Sequence, residues 1–175
     1  MSAPHGRVEG MSAFPEAPFG SADRIEIGAA PLAVVRHAGV TIDDLREAFD
    51  RGYAALGGLF TAGTLTPAGP ALAVYDGDPM DRFDLELGFP VVEAPSTSLT
   101  AADGTVIVAS TLPAGPATAT TALGPYDGLG DAWRRLVDRT VAAGLAPRGI
   151  SIEIYVSDPL SDPGPLRTDL LLPVR

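Results

Sequence analysis

Two stretches of the chain carry apolar residues at steps of three and four. In the first, Leu45, Ala48, Phe49, Gly52, Tyr53 and Leu56 fall on one stripe, with Asp43, Asp44, Arg46, Glu47, Asp50 and Arg51 opposite. That spacing predicts an amphipathic helix. Thr41 is placed as its N-cap, the acidic pair suits the positive end of the helix dipole, and Gly57-Gly58 can end it. In the second stretch Leu129, Trp133, Leu136, Val137, Thr140 and Val141 form the stripe, and Gly144 is a natural stop.

Short apolar runs bounded by Gly and Pro read as strands around each helix. Residues 25–27 and 32–37 precede the first helix, and 71–75 and 83–89 follow it. Residues 106–110 and 117–123 precede the second, and 151–156 and 167–172 follow it. Three landmarks recur in order. Gly39 matches Gly124, Tyr75-Asp76-Gly77-Asp78-Pro79 matches Tyr155-Val156-Ser157-Asp158-Pro159, and Pro90-Val91 matches Pro173-Val174. The chain is therefore read as an internal repeat. The expected fold is α+β: a tandem pseudo-two-fold repeat of strand-helix-strand-strand units. Its antiparallel sheet is expected to carry the two long helices on one face. The repeats span about 22–93 and 104–175, joined by a linker at about 94–103 that begins near the polar stretch Glu93–Ser98. Residues 1–21, rich in Pro and Gly without periodicity, are expected to be a flexible lead-in, and Met11 could serve as an alternative start.

The strand after each helix carries the most chemistry. Side chains alternate along a strand, so Ile152, Ile154 and Val156 share one face while Ser151, Glu153 and Tyr155 share the other. Its twin splits into Leu72 and Val74 against Ala71, Ala73 and Tyr75. The aliphatic faces are expected to meet the helices. The small residues on the opposite faces would then leave room for a ligand.

Composition narrows the options. Hydrophobic residues make up 46% of the chain, enough for a core, and no apolar run approaches the roughly 18 residues of a membrane span. The first residues lack the apolar stretch of a secretory signal, so the cytoplasm is the expected location. There is no Cys and only two His, which argues against thiolate or His-rich metal sites, and no cofactor is expected. The sequence contains no Lys, Asn or Gln, a bias read as that of a GC-rich, actinobacterial genome. The net charge of -10 disfavours direct nucleic-acid binding and would favour a cationic ligand.

Several side chains remain open between packing and binding. Glu153 is either a strand carboxylate facing water or a charge in a groove. Trp133 lies on the core stripe of its helix but could stack on a planar ligand. Tyr75 and Tyr155 occupy equivalent strand positions, as rim residues or as ligand contacts. Tyr126 shapes the turn into the second helix and is a secondary contact. Of Arg36 and His37, alternation puts one on the groove face. The acidic residues Asp76, Asp78, Asp81, Asp84 and Glu86 read as a solvated hairpin without metal-ligand spacing.

The order of Leu123-Gly124-Pro125-Tyr126, Leu129-Gly130-Asp131-Ala132-Trp133, Gly144-Leu145-Ala146-Pro147, Glu153-Ile154-Tyr155 with Asp158-Pro159, and Thr168–Val174 resembles the GyrI-like family. Arg36-His37-Ala38-Gly39 and Ala73-Val74-Tyr75 are the first-half counterparts, so the resemblance spans roughly residues 22–175. That family comprises the effector-binding domains of multidrug-responsive regulators and stand-alone proteins of the SbmC type. The resemblance implies a small-molecule groove between two repeats, with Glu153 at the position of a counter-ion for a lipophilic, aromatic cation. Glu153, Tyr155, Tyr75, Trp133, Ala73, Ser151 and Tyr126 are the candidate ligand-binding residues. The first-half equivalent of Glu153 is Ala73, so only one half supplies the charge. The same resemblance leaves two alternatives: a hydrolase of small reactive electrophiles using Glu153 and Tyr155, and a protein-interaction module of the gyrase-inhibitor type. No helix-turn-helix region precedes the domain in this sequence, which speaks against a self-contained transcription factor.

Overall fold

The computed structural model describes residues 13–157 and 164–175. The motif Asp158-Pro159, residues 1–12 of the expected lead-in and Met11 lie outside them. The described elements follow the predicted order. In the first half β1 (Asp23–Ile27), β2 (Pro31–Val40), α1 (Leu45–Thr61), β3 (Ala71–Gly77) and β4 (Phe83–Pro90) succeed one another. After a two-residue strand, β5 (Leu99–Thr100), the second half repeats them as β6 (Val106–Thr111), β7 (Gly115–Leu123), α2 (Leu129–Ala142), β8 (Ile150–Tyr155) and β9 (Arg167–Pro173).

Each helix is entered through one 3-10 turn, at Ile42–Asp44 and at Tyr126–Gly128. At the first, the Asp44 carboxylate accepts the Thr41 N–H at 2.9 Å, and the Asp44 N–H bonds back to the Thr41 carbonyl at 3.0 Å. Thr41 and the acidic pair thus belong to the 3-10 turn, and the N-cap of α1 itself is Asp44. Gly57-Gly58 does not end it. The helix runs through both and stops at Ala62, followed by Gly63 at φ +74°. A left-handed residue is what terminates a helix, and glycine in a right-handed interior position merely weakens it. Gly144, at φ +81°, ends α2 as expected.

All described strands join one antiparallel sheet in the order β1-β7-β9-β8-β3-β4-β2-β6-β5. The repeats meet where β3 pairs with β8. The first strand of each repeat leaves its own half: β1 pairs with β7, and β6 pairs with β2. Only residues 28–30 join β1 to β2, a step of at most about 14 Å. In a flat sheet those strands would lie six positions apart, roughly 29 Å. The sheet must therefore roll up. Its two short connections meet, the Leu112 N–H donating to the Ala30 carbonyl at 2.9 Å.

The roll encloses a core without helical residues. Ile25, Ile27, Leu32, Val34, Leu72, Val74, Ala117, Ala119, Ile152, Ile154 and Leu171 cluster there with Ala13 and Phe19. This corrects the expected facing. The aliphatic faces of β3 and β8 pack inside the roll, and both helices lie on the outer face, over the small residues and tyrosines. Ala48 of α1 packs with Ala73, Leu85 and Leu87, and Ala132 and Leu136 of α2 pack with Leu170 and Leu172. Alternation separates the two faces but does not say which one a helix covers.

From residue 13 onward the expected lead-in is packed. Ala13 and Phe19 are buried in the inner core, and the Phe19 N–H donates to Thr121 Oγ1 at 2.8 Å. The Arg167 guanidinium donates to the carbonyls of Pro15, Glu16 and Ala17.

Candidate functional site

Between the helices lies an open groove of about 1640 Å³. Its floor is the outer face of β3 and β8, and its walls come from one helix of each repeat. Leu45, Phe49 and Tyr53 project from α1, and Leu129, Trp133 and Val137 from α2, each set at steps of four. Residues four apart share a helix face, so each of these rows is an apolar ladder; Arg46 and Asp50 of α1 and Arg134 and Asp138 of α2 also line the groove. The N-terminal turns add Ile42 and Tyr126.

Glu153 lies on this floor with 6% of its surface exposed. Its Oε1 accepts the hydroxyls of Tyr75 and Tyr155, each at 2.8 Å. Its Oε2 accepts the Trp133 indole N–H at 2.9 Å. Tyr75 reaches across from the first repeat, and the other two donors belong to the second. A hydrogen bond to a charged group contributes about 1.5–3 kcal/mol, which offsets the burial of the carboxylate. Among the described residues no ion pair includes Glu153. The described partners of the carboxylate are thus neutral dipoles.

The groove tyrosines are held neutral. Burial first, and the Glu153 charge second, push the hydroxyls of Tyr53, Tyr75 and Tyr155 well above the ordinary value of 10.0. Tyr53 donates to the Leu72 carbonyl at 2.7 Å. Phe49 meets Tyr53 and Tyr155 edge to face, with ring centres 5.6 and 5.8 Å apart, and Tyr126 meets Tyr155 at 5.9 Å. Edge-to-face pairs add about 0.5–1.5 kcal/mol each beyond their burial, so these rings form a fixed aromatic lining.

The structure brings six of the seven candidates to the groove: Glu153, Tyr155, Tyr75, Trp133, Ser151 and Tyr126. Ala73 is not among the lining residues. It is fully buried under Ala48 and Leu87, because directly opposite Glu153 a methyl group is covered by α1. Trp133 both packs against the α2 core cluster and presents its N–H to the carboxylate. Neither Arg36 nor His37 lines the groove. Arg36 faces away from the helices and pairs with Glu86 at 2.7 Å. His37 is half-buried at the far end of β2, its pKa lowered by burial and then by Arg51. The bulge between His37 and Val40 lies at the end of the strand, away from the β3–β8 floor.

Sequence reasoning placed Phe49 and Tyr53 on the core stripe of α1 and did not take them as wall residues. Phe83 and Met80, which also line the groove, were likewise missed. The available signal was the width of the stripe. Leu45, Phe49 and Tyr53 form one row and Ala48, Gly52 and Leu56 another, and only the second row, with small residues, lets the helix approach the sheet. Gly52 shows this directly, since a Cβ there would meet Leu87 at 3.4 Å.

A preformed concave site with aromatic walls and a few converging polar groups is the geometry of a small-molecule-binding domain. Residues 97–175 match the family model of the GyrI-like small molecule binding domain, which bears out the likeness for the part of the chain that holds the motifs from Leu123 to Val174. None of the curated proteins matches the chain. Among solved structures, the fold is similar to that of the C-terminal domain of EcmrR, at 18% identity and a TM-score of 0.70, covering 88% of this chain and 96% of that one. It is also similar to SAV2435, solved bound to tetraphenylphosphonium, at 10% identity and a TM-score of 0.63, covering 88% and 93%. A hydrolase from Listeria innocua encoded by lin2189 shares the fold at 15% identity and a TM-score of 0.57, covering 91% and 94%.

Proposed function

We propose that this protein captures lipophilic cations in the groove, with Glu153 as counter-ion. The observation that carries the reading is a buried carboxylate whose donors among the described residues are all neutral. Such a charge keeps most of its field for an incoming cation, and the low-dielectric walls strengthen the attraction. The aromatic lining adds a cation–π contribution of about 0.5–2 kcal/mol. A structural neighbour solved with tetraphenylphosphonium supports the choice of ligand class. Calorimetric titration with tetraphenylphosphonium tests it: the expected result is saturable binding that weakens at least about tenfold in Glu153→Gln, a loss of about 1.4 kcal/mol. Absence of binding to the intact protein would sink the reading.

A second reading takes Glu153 as a general base for water and Tyr155 as a proton donor to a strained-ring electrophile. The 2.8 Å contact between the two groups and the fold shared with a hydrolase support it. The upward shift of the Tyr155 hydroxyl speaks against easy proton donation, since a catalytic acid works best with a pKa near the operating pH. Product analysis with epoxide probes distinguishes the two, because capture leaves the probe intact.

A further inference from the structure

We propose that the groove selects cations whose charge sits at the centre of the molecule, between two apolar arms, over isomers with all their apolar bulk on one side of the charge. This rests on the reading of Glu153 as counter-ion and adds the shape of the ligand.

The argument starts from strand register. Ala73 lies directly opposite Glu153, Tyr75 opposite Ser151, and Ala71 opposite Tyr155. The repeat relates Ala71, Ala73 and Tyr75 to Ser151, Glu153 and Tyr155, so each of these facing pairs is carried onto the set itself. The pseudo-two-fold axis therefore passes between Ala73 and Glu153. Directly opposed residues of antiparallel strands point to the same face, so the axis stands perpendicular to the sheet and rises through the groove floor. The one floor carboxylate is at the midpoint of the site and not at either end.

The walls follow the same symmetry. Phe49 and Trp133 hold equivalent places, flanked by Leu45 and Tyr53 on α1 and by Leu129 and Val137 on α2. Eight residues of helix separate the ends of each ladder, about 12 Å. A cation placed over Glu153 thus has an apolar wall of similar length on each side. A molecule with one apolar arm covers one wall and leaves the other in water; one with two arms covers both.

The acceptor state of Glu153 favours a cation that does not donate, whether its charge is central or terminal. An ionised carboxylate offers about four lone-pair positions, and Tyr75, Tyr155 and Trp133 already occupy three. The site asks little hydrogen bonding of its ligand. A charge shielded on both sides by carbon, which cannot donate, loses nothing here.

Two isomeric ammonium ions test the inference: dibenzyldimethylammonium, with its charge between two rings, and (biphenyl-4-ylmethyl)trimethylammonium, with its charge at one end. Each is titrated calorimetrically into the full chain, with tetraphenylphosphonium as reference. The central-charge isomer is expected to bind at least about tenfold tighter. Leu45→Ala and Leu129→Ala are each expected to weaken it, to within about threefold of one another. If the isomers bind equally, or the end-charged one binds tighter, while Glu153→Gln weakens both, the counter-ion reading stands and the shape inference is overturned. If neither isomer nor tetraphenylphosphonium binds, both fall.

Discussion

At the residue scale, the three donors to Glu153 differ in what their loss exposes. Trp133→Phe keeps an aromatic ring on the wall but removes the N–H from Oε2. An acceptor left unsatisfied in a buried site costs about 1–3 kcal/mol, so urea denaturation of the unliganded variant should show a loss of that size. The tyrosines give a pH signature. Their folded pKa values are raised above 10.0, so above about pH 10 the unfolded chain releases protons that the folded one retains. Stability from these groups is complete below pH 10 and declines as the pH rises beyond it. The melting temperature should therefore fall on the alkaline side, and a Tyr53→Phe/Tyr75→Phe/Tyr155→Phe variant should show a shallower fall. An unchanged slope would mean that the hydroxyls are not buried as described.

At the element scale, the same residue type has opposite effects in a strand and in a helix. Gly88 sits in β4 between β2 and β3, and a Cβ there would overlap the Ala33 carbonyl and the Val34 side chain. Gly88→Ala should cost about 1–3 kcal/mol by overpacking. Gly57 has open space around its would-be Cβ and a helical backbone, so Gly57→Ala should add up to about 1 kcal/mol. Parallel thermal melts of the two variants should move in opposite directions. Arg167 ties elements together more broadly. Its guanidinium, with its side chain 12% exposed, pairs at 2.9 Å with Asp169, which is 1% exposed, and it also holds the carbonyls of residues 15–17. Removing one partner of a buried pair typically costs about 3–5 kcal/mol. Arg167→Met should lose stability on that scale and make the chain near residues 15–17 sensitive to proteases.

At the scale of the whole molecule, exchange of the first strands makes the halves interdependent. Among the described residues β1 pairs with β7 of the second repeat, and β6 bridges β2 and β5 at the far side of the sheet. A protease site inserted within residues 94–98, in the segment between β4 and β5, should yield two fragments that still co-elute on size exclusion. Each fragment alone should lack a cooperative melt. Independently folding fragments would contradict the interlocked sheet. No helix among the described residues is long and apolar enough to cross a membrane.

How much of this was legible in the sequence depends on the range of the interactions involved. Helix periodicity, strand alternation and the recurrence of Gly39, Tyr75 and Pro90 in the second half are local signals. They were sufficient for the elements, the repeat and the common face of Ser151, Glu153 and Tyr155. The face that the helices cover was not legible, because Leu72-Val74 and Ile152-Ile154 look alike whether they meet a helix or the inside of a rolled sheet. The rolled sheet follows from pairing between β1 and β7 and between β6 and β2, contacts between residues from 74 (Val34 and Val108) to 96 (Asp23 and Ala119) positions apart. The same holds at the site. A single glutamate on a strand could be read from the chain, but its donor Tyr75, 78 residues away, exists only once two repeats close on one another, and its donor Trp133, 20 residues away, only once α2 packs on the sheet. Sequence alone determined that one half carries a charge where the other carries a methyl group. The tertiary structure decided that this charge stands at the centre of the groove, because an antiparallel pairing about a two-fold axis brings equivalent residues face to face.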